Sequence, residues 1–124
     1  MRILIAEDEE CNQMVVQAMI ELLYPHVSVE MVENGAEALE KLKKESFDLL
    51  LSDIDMPIMN GYALLTEVKE TLKLSLPVIC VTAFAISGDR EKLLLHGFDA
   101  YISKPIDMDD IKSVLDAYIP NGEG

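Results

Sequence analysis

Residues 48–61 read Asp48-Leu49-Leu50-Leu51-Ser52-Asp53-Ile54-Asp55-Met56-Pro57-Ile58-Met59-Asn60-Gly61. Three consecutive leucines make a short apolar run. Such a run suits a strand covered on both faces, as in the middle of a parallel sheet. Two aspartates follow at once, and Pro57 and Gly61 mark a turn. In an open α/β sheet, ligand sites lie outside the carboxyl ends of the strands. Asp53 and Asp55 therefore stand where chemistry is expected.

The same rhythm continues on both sides. Ile3 to Ala6 reads as a buried strand. Cys11, Met14, Val15, Ala18, Met19 and Leu22 fall on one helical stripe, read as the core face, and Pro25 stops that helix. Val27, Val29 and Met31 alternate with Ser28 and Glu30, as in a half-buried strand at a sheet edge. Asn34 with Glu37 predicts a capping box on a second helix, stiffened by the pairs Glu37–Lys41 and Glu40–Lys44. Leu64, Leu65, Val68 and Leu72 predict a third helix, and Val78 to Val81 a fourth strand. Ile86 to Leu95 predicts a helix closed by Gly97. Ala100 to Ile102 predicts a last strand. Asp107 caps a helix carrying Ile111, Val114, Leu115 and Tyr118 on one face. Five strands alternating with five helices predict a parallel sheet with helices on both sides. One domain is expected over residues 1–120, with 121–124 as a tail.

Composition narrows the function. The chain has 124 residues, half of them hydrophobic, and a formal net charge of −13 from 23 acidic and 10 basic residues. No basic face is available to neutralise nucleic-acid phosphates. No apolar run reaches the roughly 18 residues of a membrane span, and the short apolar run at the start followed by four acidic residues is not what a secretory signal is expected to look like. A cytoplasmic protein is expected, with neither a nucleic acid nor a membrane among its partners. Cys80 lies in an apolar run and reads as buried. Cys11 opens a helix, and the two cysteines lie too far apart to suggest a metal motif or a disulfide framework. His26 and His96 are isolated.

The strand ends gather the chemistry. Glu7, Asp8, Glu9 and Glu10 follow the first strand, Asp53 and Asp55 the third, Thr82 the fourth, and Lys104 with Pro105 the fifth. Crowded carboxylates repel one another, and a hard divalent cation relieves the repulsion; all-oxygen donors favour Mg²⁺. A carboxylate can also attack a phosphoryl group and form an aspartyl phosphate. A lysine and a hydroxyl can then bind the phosphoryl oxygens.

The stretches ILIAEDE, DLLLSDIDMPIMNG, VTA and YISKPI resemble the receiver domains of two-component response regulators across the whole chain. The resemblance extends to single-domain regulators of cell division and to receivers of hybrid histidine kinases. It implies a flavodoxin-like (βα)5 doubly wound fold with strand order 2-1-3-4-5. It implies Asp53 as phosphoacceptor, and Mg²⁺ bound by Glu7, Asp8, Asp53 and the backbone carbonyl of Asp55. Thr82 becomes the switch hydroxyl, Tyr101 the switch aromatic and Lys104 the phosphoryl-binding lysine. Asp8 is expected to be the stronger ligand, and Glu7 to act more through water because its longer chain is less fixed. The implied partners are a histidine kinase or a histidine phosphotransfer protein. A downstream protein target is expected to meet the face of the fourth helix, fifth strand and fifth helix, with Ile86, Leu93, Tyr101 and Ile111 on or near it. The domain is expected to be a switch, not an enzyme, catalysing only its own phosphorylation and dephosphorylation.

Three other readings are weaker, the first a receiver-like fold that has lost phosphorylation and only binds a partner, against which the intact Asp8, Asp53, Thr82 and Lys104 argue. The Asp53-Ile54-Asp55 triplet also fits the DxD motif of haloacid-dehalogenase-type phosphatases. That motif normally ends the first strand, and Pro57 stands where a Thr or Val is usual. A flavin-binding flavodoxin-like protein would need a phosphate-cradling loop after the first strand, where Glu7 to Glu10 would repel the phosphate.

Overall fold

The computed structural model describes residues 1–83 and 89–119. Strands β1 (Arg2–Ala6), β2 (Ser28–Val32), β3 (Leu49–Asp53), β4 (Val78–Thr82) and β5 (Ala100–Ser103) alternate with helices. The helices are α1 (Glu10–Leu23), α2 (Gly35–Lys44), α3 (Gly61–Thr66), α4 (Asp89–His96) and α5 (Met108–Leu115). All strand pairs are parallel, and the order is β2-β1-β3-β4-β5. Leu49, Leu50 and Leu51 are fully buried in the middle of the sheet, and β2 lies at an edge as its alternation required.

Each strand sends side chains to two layers. Leu4, Leu50 and Cys80 join α2, α3 and Phe98 in one layer. Ile3, Ile5, Leu49, Leu51 and Ile79 join α1 and α5 in the other. Removing this apolar surface from water is the main force for folding. Burial pushes the Cys80 thiol up to about 12, with the charge of Asp53 adding to the effect and that of Lys104 opposing it.

Several local expectations need correction. Helix α1 turns Val16 and Ile20 to the core, with Met19 and Leu23 half-buried. Cys11, Met14, Val15, Ala18 and Leu22 face solvent instead. The helix carries two apolar stripes, and periodicity alone does not say which one the sheet takes. Asn34 caps α2 by accepting from the Glu37 N–H at 2.9 Å, but Glu37 reaches back to the Glu33 N–H and not to Asn34. The expected helical ion pairs are replaced: Lys41 bonds Glu30 and Glu45, and Lys43 pairs with Glu40. The third helix passes at Glu67–Thr71 into a π-helical turn, closed by the Leu72 N–H on the Glu67 carbonyl. It still buries Leu64, Leu65 and Val68. Ile111, expected on or near the outer face, is fully buried against the sheet and so is not itself exposed there. Ile86, the Leu93 side chain and the tail at 121–124 lie outside the described residues.

The amino-terminal end of the sheet is closed by charge. Arg2 bonds Glu30 and Glu45, and Lys41 bridges the same two carboxylates. The Arg2 guanidinium lies 4.5 Å from the centre of the Phe47 ring. Among the described residues, no helix is long and apolar enough to cross a membrane.

Candidate phosphoacceptor and metal site

Parallel strands all end on the same side, so residues far apart in sequence meet there. Asp53 is the last residue of β3 and is 6 % exposed. Its register partner in β4 is Val81, one residue before Thr82, which is itself buried. Thr82 pairs in register with Ser103, and its carbonyl accepts the Lys104 N–H at 2.9 Å. That bond fixes the start of the segment carrying the lysine, whose peptide to Pro105 is cis.

The lysine side chain crosses the site. Lys104 Nζ lies 2.9 Å from Asp53 Oδ2 and 3.0 Å from Glu7 Oε1. Burial works against the Lys104 ammonium, but its bonds to Asp53 and Glu7 and their charges outweigh that and raise its pKa. Asp53 Oδ1 accepts the Ile54 N–H at 2.7 Å. Both Asp53 oxygens are therefore aimed.

Glu7 is buried and bound at four points. Its N–H donates to the Val32 carbonyl, and Oε2 accepts the Glu9 N–H at 3.1 Å. Oε1 meets Lys104, and its carbonyl accepts Gln13 Nε2 at 2.6 Å. The expectation of a loosely fixed Glu7 is overturned, because neighbouring donors hold both its carboxylate oxygens. Burial still pushes its carboxyl above the ordinary range; the Glu9 N–H and Lys104 oppose this, and the charge of Asp53 adds to it.

Oxygens of Glu7, Asp8 and Asp53 lie within 4.8 Å of one another. Glu7 and Asp53 are buried and Asp8 is exposed, so this cluster opens to solvent on one side. An oxygen set of this kind suits a hard cation that keeps part of its water. Asp55 is exposed, two residues past the end of β3. Tyr101 is half-buried on β5 and packs on the layer containing Cys80 and Phe98.

The loop after β3 is shaped by close approaches. Gly61 N–H donates to the Ile54 carbonyl at 2.9 Å, and Asn60 Oδ1 caps α3 through the Ala63 N–H. Ile58 has φ 69°, and the Met59 N–H closes on the Pro57 carbonyl at 2.7 Å, which makes a γ-turn of the rare positive-φ kind. Sequence reasoning missed Gln13 and the Asn60 cap. The Asn60-Gly61 pair before an apolar run could have signalled the cap. The reach of Gln13 to a carbonyl six residues back has no sequence signature.

The fold and the site define a doubly wound α/β domain with an acidic, lysine-bridged pocket at the carboxyl end of its sheet. The chain belongs to the response regulator receiver domain family, whose model matches residues 3–116. It is 34 % identical over 122 residues to hybrid signal transduction histidine kinase G of Dictyostelium discoideum, covering 97 % of this chain and 4 % of that protein. It is 36 % identical over 115 residues to the autoinducer 2 sensor kinase/phosphatase LuxQ of Vibrio vulnificus, covering 93 % of this chain and 13 % of the relative. The chain thus spans only a small part of these curated relatives. Among solved structures, it is similar to the receiver domain of sensor histidine kinase PA1611 from Pseudomonas aeruginosa, with TM-score 0.81 and 31 % identity over 94 % of this chain and 95 % of that one. That structure has a magnesium ion coordinated in its active site cleft.

Proposed function

We propose that this receiver domain accepts a phosphoryl group on Asp53 from a histidine kinase or histidine phosphotransfer protein and signals by a conformational switch. The observation that carries the reading is Lys104 Nζ bridging Asp53 and Glu7 beside a cluster of three carboxylates. An Asp53 carboxylate oxygen attacks phosphorus as the bond from phosphorus to the donor nitrogen breaks, and the donor histidine takes up a proton. The product is an acyl phosphate on Asp53. Lys104 moves its contacts from carboxylate to phosphoryl oxygen, and the Thr82 hydroxyl donates to another. Glu7, Asp8, Asp53 and the Asp55 carbonyl are the proposed ligands of Mg²⁺, which when bound offsets carboxylate repulsion and neutralises phosphoryl charge. The domain is a switch that turns over only its own acyl phosphate.

The new charge biases two packings. Thr82 is drawn toward the phosphoryl group, and Tyr101 turns into the space it leaves. A groove of ≈ 460 Å³ lined by Leu94, Tyr101, Ser103, Asp110 and Val114 supports this face as the meeting place with a downstream protein. The test is uptake of acid-labile phosphate from acetyl phosphate with and without Mg²⁺. Wild type takes up phosphate only with the metal, and Asp53→Asn takes up none. Uptake by Asp53→Asn at the wild-type rate refutes the assignment.

A further inference from the structure

Helix α1 opens with Glu9 as its N-cap, and no side chain caps it there. One turn in, Gln13 donates its own N–H to the Glu9 carbonyl at 2.9 Å, the first bond of the helix. Its side chain does something else: Nε2 reaches back past the helix start to the Glu7 carbonyl at 2.6 Å. A peptide unit is planar, so fixing the direction of the Glu7 carbonyl fixes the whole plane joining Glu7 to Asp8. The Asp8 carboxylate is exposed, and the backbone that carries it starts from that plane. The Glu7 side chain has separate anchors in Lys104 and the Glu9 N–H. What Gln13 holds is therefore the peptide between Glu7 and Asp8.

We propose that Gln13 is a positioning residue for the metal site, setting the aim of the Asp8 carboxylate through the Glu7–Asp8 peptide plane. The proposal rests on the reading of Asp8 as a metal ligand. Groups that orient metal ligands commonly carry a tenfold or larger share of metal affinity. Gln13 is half-buried, so its loss need not collapse the core.

Methionine matches the length of glutamine and lacks the N–H donor, so Gln13→Met isolates the hydrogen bond. Mg²⁺ alone is titrated into the whole chain and followed by amide NMR shifts, with thermal melting in EDTA run in parallel. The expected result is Mg²⁺ affinity weakened about tenfold with the metal-free melting temperature close to wild type. Unchanged Mg²⁺ affinity in Gln13→Met, while Asp8→Asn loses binding, overturns the positioning role and leaves the metal reading standing. Unchanged affinity in Asp8→Asn overturns both. A lowered melting temperature with wild-type affinity makes Gln13 a purely structural cap and also overturns the proposal. If Gln13→Met does not fold, Gln13→Asn keeps the amide but shortens its reach, and the same titration decides.

Discussion

The carbonyl oxygen of Asp53 fills the space that a side chain on residue 61 would need. A Cβ built on Gly61 would also stand 3.0 Å from Ile54 Cα. Both obstacles are backbone, at the last residue of β3 and the one after it, so neither can swing away. The start of α3 is thereby pressed against the residue proposed to carry the phosphoryl group.

Gly61→Ala is expected to push the β3 end out of register with its neighbours. Overpacking of this kind costs about 2 kcal/mol, readable as a lower urea midpoint. Phosphate uptake on Asp53 should slow as well, because Asp53 moves against Lys104. A variant with wild-type stability and wild-type uptake would show that the loop yields freely.

Glu7 makes the metal-free protein sensitive to pH. Its folded carboxyl lies above the ordinary value of 4.5 because it is buried. Such a group gives its full stabilisation below the unfolded value and loses it as pH rises through the folded value. In EDTA, wild type should therefore lose stability relative to Glu7→Gln as pH rises from about 4 toward neutrality. Melting curves of the two proteins across that range provide the check, and curves that run parallel contradict the account.

Ile58 is 84 % exposed and sits at φ 69°. A branched side chain in such a positive-φ turn is strained, at a cost of roughly 1–3 kcal/mol. Glycine, with no Cβ, takes positive φ freely. Ile58→Gly should raise stability by about 1 kcal/mol, measured by urea unfolding. A loss of stability would mean that the isoleucine makes contacts that outweigh its strain.

Thr82 separates acceptance of phosphate from its consequence. Thr82→Ala should still be phosphorylated, yet its affinity for the downstream partner should no longer rise on phosphorylation. Binding measured with and without acetyl phosphate tests this. An equal gain in variant and wild type would disconnect Thr82 from the switch.

The leucine run at 49–51 and the acidic and lysine residues after the strands were readable because burial and strand polarity leave periodic marks in sequence. The two stripes of α1 were not separable, since Val16 and Ile20 compete with Val15 and Leu22 on hydrophobicity alone. The strand order itself came from resemblance, because alternation of elements fixes direction but not neighbours. The anchoring of Glu7 is not legible in the sequence: its side-chain length suggests freedom, while Lys104, distant in sequence, and the Glu9 N–H remove it. The positive φ of Ile58 was invisible because Gly, Asn or Asp would ordinarily announce it.

The charged closure made by Arg2, Glu30, Lys41 and Glu45 lies at the opposite end of the sheet from Asp53 and Lys104. Substitutions at sites that share no partners combine almost additively. Robustness and signalling chemistry can therefore drift independently in this domain. A lineage, or an engineer, can harden the Arg2 end against heat while leaving the chemistry proposed for Asp53 untouched.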